Sequence, residues 1–379
     1  MIQKSSEKLC FSFRPLYYLL KSFGIFVPSF DSNCCLKVKL IDKLYAAFLM
    51  LTVVGLFVLN VALDINSFLN PSKIMDSALA ATVMFGGSFL LLTLAYQHTR
   101  TESIQQIYKL FNQIDDKLVF LKLTIDYKEQ RNKSIYFIYG ALLIMLFNII
   151  LNPFLLIMQD LGTDIVMSIN YNLMHIYCIL FVFQFVCPVI AIRERFNLIH
   201  KRRFYNKFEV NLILDVYEKL FQLIELINNN LTMPIIYMFG LFLGLMIFDF
   251  HDIVVVLHHE DRGFFMVMAF DGPWMFLYLL LWIFTIYSSV SVSSSFANFN
   301  SIEYQILSDL KSLDNESFDL IKAYLKHIRG YKSTFETIFF DIDWRLLFGC
   351  ISATISFIII VVQFDKSMEE PPKNVTAAS

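Results

Sequence analysis

An all-α membrane protein of seven transmembrane helices follows from this sequence on three grounds. Of the 379 residues, 57% are hydrophobic and 17% charged, where a soluble domain carries roughly a quarter charged residues. Mean hydropathy is +0.58, and the 40 phenylalanines would drive aggregation if they faced water. Apolar runs near the ~20 residues that a bilayer core requires recur seven times, at 44–63, 77–96, 134–158, 171–192, 234–257, 264–287 and 346–364. These runs are continuous rather than alternating, which excludes a transmembrane β-barrel.

The segments between the runs set the orientation. Lys and Arg number seven up to Lys43, seven in 97–133, seven in 193–233 and six in 288–345. The alternate segments together hold four, namely Lys73, Arg262, Lys366 and Lys373. The positive-inside rule then predicts a cytoplasmic N-terminus and an extracellular C-terminus. That orientation is the reverse of a G-protein-coupled receptor. Neither an Asp-Arg-Tyr after the third run nor an Asn-Pro-x-x-Tyr in the seventh is present. No secretory signal is apparent, because the first apolar run begins after residue 40 without a small-residue cleavage site. The net charge of −2 suggests no nucleic-acid partner. No cysteine falls in an external segment, so no external disulfide is expected. Of four glycosylation sequons, only Asn374 lies on the outer side.

The inner segments are long and patterned. Ile104, Ile107, Phe111, Ile114, Leu118 and Leu121 recur at spacings of three and four. Phe208, Leu212, Val216, Leu220, Leu223 and Ile227 form a second stripe, and Ile302, Ile306, Leu310 and Leu313 begin a third that resumes through Phe318, Ile321, Leu325 and Ile328. Such stripes are narrow, and the opposite faces carry both signs of charge. Helices lying flat on a membrane are Lys/Arg-rich on the polar face. The pattern therefore favours transmembrane helices that extend inward into a common cytoplasmic anchor bundle. No repeat or linker interrupts the chain, which reads as one domain over 1–379.

Polar groups inside hydrocarbon are expensive and mark candidate sites. The third run carries Asn148 and Asn152, and the fourth Tyr171, Asn172, His175 and Tyr177. The fifth carries Asp249 and Asp252, three apart on one helical face, and the sixth Asp271 and Trp274 around a Gly272-Pro273 pair that would kink or break the helix. Their alternatives are ordinary: an interhelical hydrogen bond for His175, a solvated helix end for the acids, an aromatic belt for Trp274. Taken together they describe a pocket for a small polar or amphipathic ligand. Gly240 and Gly244 make a small-xxx-small pair, read as helix packing. The run His258-His259-Glu260-Asp261 reads as a hydrated loop rather than a metal site. No catalytic motif and no cofactor or phosphate cradle is present, so an enzyme has no residues to stand on.

The C-terminal stretch TFETIFFDIDWRLLFGCISATISFIIIVVQF, 334–364, resembles the signature of insect gustatory receptors. In that family a final helix ends Thr-Tyr, five apolar residues, Gln-Phe. Here Ser356 and Phe357 precede Ile358 to Val362, then Gln363 and Phe364. The segment FRPLYYLLKSFGIF, 13–26, is similar to the family's opening. The resemblance implies a ligand-gated, nonselective cation channel in the plasma membrane of a sensory neuron. It would assemble as a homotetramer or as a heteromer with related receptors. It also implies a small-molecule tastant bound in the outer half of each subunit, with membrane lipids around it and permeating cations in a central pore. The pore would be lined by the seventh helix, with Ser356, Phe357, Ile360, Gln363 and Phe364 as pore and gate residues. Phe357 in place of the family's tyrosine removes a hydroxyl, and the Ser-Phe start favours a bitter plant compound over a sugar. The alternatives are an odorant-receptor subunit working with a co-receptor and a secondary transporter. A transporter would commonly show inverted repeats and paired interrupted helices.

Overall fold

The computed structural model describes residues 5–31, 36–69, 74–158, 165–202, 206–258, 264–309 and 315–369. They form α1 (Ser5–Ser22), β1 (Ser29–Phe30), β2 (Leu36–Lys37), α2 (Leu40–Leu69), α3 (Ile74–Thr99), α4 (Thr101–Phe120), α5 (Tyr127–Met158), α6 (Ile165–His200), α7 (Lys207–His258), α8 (Phe264–Ala297), α9 (Phe299–Asp309), α10 (Asn315–Arg329) and α11 (Trp344–Glu369). Each of the seven apolar runs falls within a single helix: α2, α3, α5, α6, α7, α8 and α11. Four segments among the described residues, Leu40–Leu59, Asn172–His200, Lys207–Phe250 and Gly272–Ser308, are long and apolar enough to cross a membrane, and Trp344–Ile360 is a shorter apolar helix.

α6 is the central post. It packs against α1, α2, α3, α5, α7 and α8, and Cys178 to Val182, Phe185, Val186 and Val189 are buried on successive faces. A helix apolar all round must be surrounded by others, and this one is. α2 and α5 pack on one side only and leave Leu51, Leu143 and Ile150 exposed, as lipid-facing helices do.

The chain is all-α apart from one short ribbon. Ser29 pairs with Lys37 and Phe30 with Leu36 in a two-stranded antiparallel ribbon. The ribbon folds the chain back from α1 to α2, and Lys21 clamps the turn through Asp42 at 2.7 Å.

The inner stripes are buried, as a bundle demands. α4 follows α3 after one residue, and Ile104, Ile107, Phe111, Ile114, Leu118 and Leu121 all face inward. α4 ends in a Schellman closure, with Lys122 N–H on Val119 O at 2.9 Å and Leu123 N–H on Leu118 O at 2.8 Å. Lys122 there takes the left-handed conformation (φ 59) usually given to glycine. The second stripe is inward from Val216 to Ile227, but Phe208, in the first turn of α7, is exposed and only edges against Phe120. Ile302, Ile306, Ile321, Leu325 and Ile328 are buried; Leu310 and Leu313 lie outside the described residues.

Two expectations are narrowed. Of the kink or break expected at Gly272-Pro273 the break is absent, since α8 is one continuous helix through Pro273. A proline removes one backbone hydrogen bond from that helix without ending it. Gly240 is exposed, and a methyl group added there would meet nothing within 4 Å. Close approach occurs instead at Gly86, where a Cβ would sit 2.9 Å from Leu241, and at Gly87, where it would overlap the Phe57 ring.

A titration marks the bundle. His200 Nε2 is 3.0 Å from Tyr217 Oη, and burial pushes its imidazole from an ordinary 6.5 down to about 4. The unfolded chain takes up a proton here below about pH 6.5, whereas the folded one resists until about pH 4. The stabilising contribution is therefore complete above pH 6.5 and drains away as pH falls toward 4. A drop from pH 7 to pH 5 should lower the melting temperature of the wild type more than that of His200→Gln, as followed by thermal unfolding of the purified protein.

Candidate functional site

At the end of the helices opposite the bundle, three elements bring rings and polar groups together. His175 on α6 is 1% exposed and hydrogen-bonds through Nε2 to Tyr278 Oη on α8. Its ring centroid is 4.1 Å from that of Trp274 and 5.5 Å from that of Tyr278. Phe242 on α7 stacks on Tyr278 at 4.6 Å with the planes 24° apart. Trp274 and Tyr278 are one turn apart on α8, which is why both reach the same imidazole.

The sequence assigned His175 and Trp274 to one pocket, and they are in contact. Trp274 is buried at 3% exposure, so it is no belt residue. Asn172, one turn from His175, is half-buried, and Asp249 is buried on α7 rather than solvated at its end. Asp249 lies seven residues past Phe242, two turns along the same face. Asn152, Tyr171, Asp252 and Asp271 belong to α5, α6, α7 and α8, but their side chains lie outside what the structure describes. Residues 259–263 and Asn374 also lie outside the described residues. Tyr278 and Phe242 were missed. An aromatic inside an apolar run carries no signal of its own in a chain with 40 phenylalanines.

The cluster thus sets an imidazole and a phenol hydroxyl among flat apolar rings.

α11 packs against α7 and α8 through one face only. Leu347, Cys350 and Thr354 are buried there, while Phe348, Ser356, Phe357, Ile360 and Gln363 are exposed, Ile360 at 48%. Ser356, Ile360 and Gln363, at spacings of four and three, share a side turned away from the subunit. Phe364 follows on the same helix, its side chain outside the description. Among the described residues no His, Cys, Asp and Glu cluster fits a metal ion, and Cys10, Cys178, Cys187 and Cys350 are buried.

A solved structure of the insect olfactory receptor OR5 from Machilis hrabei in complex with eugenol superposes with a TM-score of 0.65 at 10% identity, covering 93% of this chain and 97% of that one. Another structure of OR5 from Machilis hrabei gives 0.63 at 11% identity over the same shares. At these identities the likeness is one of fold. No curated protein sequence matches this one. The sequence profile of the family described as 7tm Chemosensory receptor matches residues 13–368, nearly the whole chain. This protein is therefore a member of the 7tm chemosensory receptor family.

Proposed function

We propose that the chain is a gustatory receptor: a subunit of a ligand-gated, nonselective cation channel that detects a small tastant, a bitter plant compound rather than a sugar. The observation that carries the reading is the His175–Trp274–Tyr278–Phe242 cluster, set in a chemosensory-receptor fold. Its flat aromatic walls favour a planar amphiphile over a polyhydroxylated sugar. Eugenol, bound in the Machilis hrabei structure, has this character. In this reading the bundle lies in the cytoplasm of a sensory neuron, the C-terminus is outside, and four subunits meet with α11 at the axis of the pore. The exposed face of α11 supports that placement, since nothing among the described residues of one subunit covers Ile360 or Gln363. The second reading, an odorant-receptor subunit, is favoured by the likeness to an olfactory receptor. Recording with and without a co-receptor separates the two.

The test is a patch-clamp recording from cells expressing the full chain against a panel of phenolics, alkaloids and sugars. An evoked cation current supports the channel, whereas saturable uptake without current supports a transporter. His175→Ala or Trp274→Ala should raise the half-effective ligand concentration about tenfold, the loss of roughly one hydrogen bond or ring contact, without altering unitary conductance. Unchanged dose–response curves in both variants would move the pocket elsewhere.

At the far end of α11, Phe364 from four subunits would ring the pore and close it by dewetting. Phe364→Ala should then pass current without ligand. Gln363→Ala should alter gating or permeation at normal surface expression. Wild-type behaviour in both would put the gate on other residues.

A further inference from the structure

Gln184 on α6 and Asn230 on α7 occupy equivalent places. Each stands four residues before a proline inside its helix, Pro188 and Pro234. Proline has no N–H, so neither backbone carbonyl receives its helical hydrogen bond. Gln97 at the end of α3 repairs one of them, donating Nε2 to Asn230 O at 3.2 Å. That carbonyl accepts only, which fixes the amide of Gln97 with Oε1 outward. Gln184 Nε2 donates to this oxygen at 3.0 Å. Asn230 Nδ2 in turn donates to Leu226 O at 2.5 Å. Two backbone carbonyls have thereby set the direction of three side-chain amides. What is left over is an acceptor at each end, Gln184 Oε1 and Asn230 Oδ1, both buried and without a donor. Gln184 is 8% exposed and Asn230 1%.

Both residues, and Pro188, line one cavity of about 50 Å³ beneath α1, closed by Phe13, Ile107, Phe111 and Leu231. A buried acceptor left dry costs the full desolvation of its oxygen. The space holds more than the ~10–15 Å³ that one water requires. A cationic donor is disfavoured, because the lining includes no carboxylate among the described residues.

We infer that this cavity is a second binding site, for a neutral hydroxyl donor, either ordered water or a short-chain alcohol, held between Gln184 Oε1 and Asn230 Oδ1. It is separate from the cluster at His175, nine residues and about 13 Å away along α6. Its occupant bridges α6 and α7 at their two proline positions, with α1 and α4, Tyr108 included, as the lid.

Two probes on purified full-length protein decide it. The first is the photoreactive alcohol 3-azibutanol, with the labelled residues mapped by mass spectrometry. The second is X-ray radiolytic oxidation, which marks side chains next to bound water. If the occupant is an alcohol, azibutanol attaches to the walls on α1, α4 or α7. In that case 1-butanol blocks it, its isomer diethyl ether does not, and Gln184→Met weakens labelling about five- to tenfold, the loss of one hydrogen bond. If the occupant is water, azibutanol does not attach, but Phe13 or Phe111 is oxidised in the wild type and protected in the cavity-filling Ile107→Phe. A wild-type wall that is neither labelled nor oxidised overturns the inference, whatever the variants do. Diethyl ether competing as well as butanol overturns it too, because the hole would then need no donor.

Discussion

Arg195→Met should cost about 3–5 kcal/mol of stability, or deplete the folded fraction altogether, because it strands a carboxylate in the interior. Arg195 and Asp115 are both fully buried. The guanidinium grips the carboxylate with Nε on Oδ1 and NH2 on Oδ2, each at 2.8 Å. Its third nitrogen donates to Ala191 O at 2.8 Å, Tyr127 Oη donates to Asp115 Oδ2 at 2.9 Å, and the Phe111 ring lies 4.8 Å beneath. Every polar atom of the pair is thus answered, and α4, α5 and α6 meet at one point. Burial already pushes the Asp115 carboxyl up against the pull of Arg195. Without the arginine it should protonate, so the penalty should be smaller at pH 5 than at pH 7. The double variant Arg195→Met with Asp115→Leu replaces charge by volume and should recover most of the loss. Thermal unfolding of the purified proteins checks this. A single variant as stable as the wild type would mean that water reaches the pair.

Gly87→Ala is expected to destabilise by about 1–3 kcal/mol, an overpacking cost produced by one methyl group. That methyl would overlap the Phe57 ring where α2 crosses α3, so the ring must leave its place or the helices must part. Phe57→Ala in the same chain should relieve the clash and restore the melting temperature of the Phe57→Ala parent. Full additivity of the two changes would show that the helices do not touch there.

Gly87 also shows where reading the sequence stopped. A glycine pair in an apolar run announces close packing without saying where it is used, and the sequence reading took Gly240-x-x-x-Gly244 and passed over Gly86-Gly87. Close approach depends on the partner helix, and Phe57 arrives from outside the local pattern. The inner stripes were legible because period and burial are two sides of one constraint: Ile104 to Leu121 could only be inward. His175 and Trp274 were legible because polarity in an apolar run is conspicuous. Phe242 and Tyr278, which complete their cluster, were not, being ordinary residues for such runs. Gln184 lay in plain sight, and the signal that would have found it is the proline four residues later, repeated at Asn230 and Pro234. The bound on Phe208 failed for a simpler reason. A stripe persists in sequence one turn past the point where its partner ends.

α7 runs as one helix of 52 residues, Lys207–His258, about 78 Å from end to end. Its first half carries Val216 to Ile227 in the bundle, and its second half carries Phe242, stacked on Tyr278 of the histidine cluster. With no loop between them, the two halves share one screw thread. A single residue inserted between Leu231 and Phe239 would rotate one end against the other by about 100° and advance it by about 1.5 Å. Phe242 would then swing off Tyr278 while Val216 kept its place. Length along this rod is thus a coded quantity. Lineages of this receptor should tolerate insertions in the connections around it and almost none within it, and any gain that survives should come in units close to whole turns.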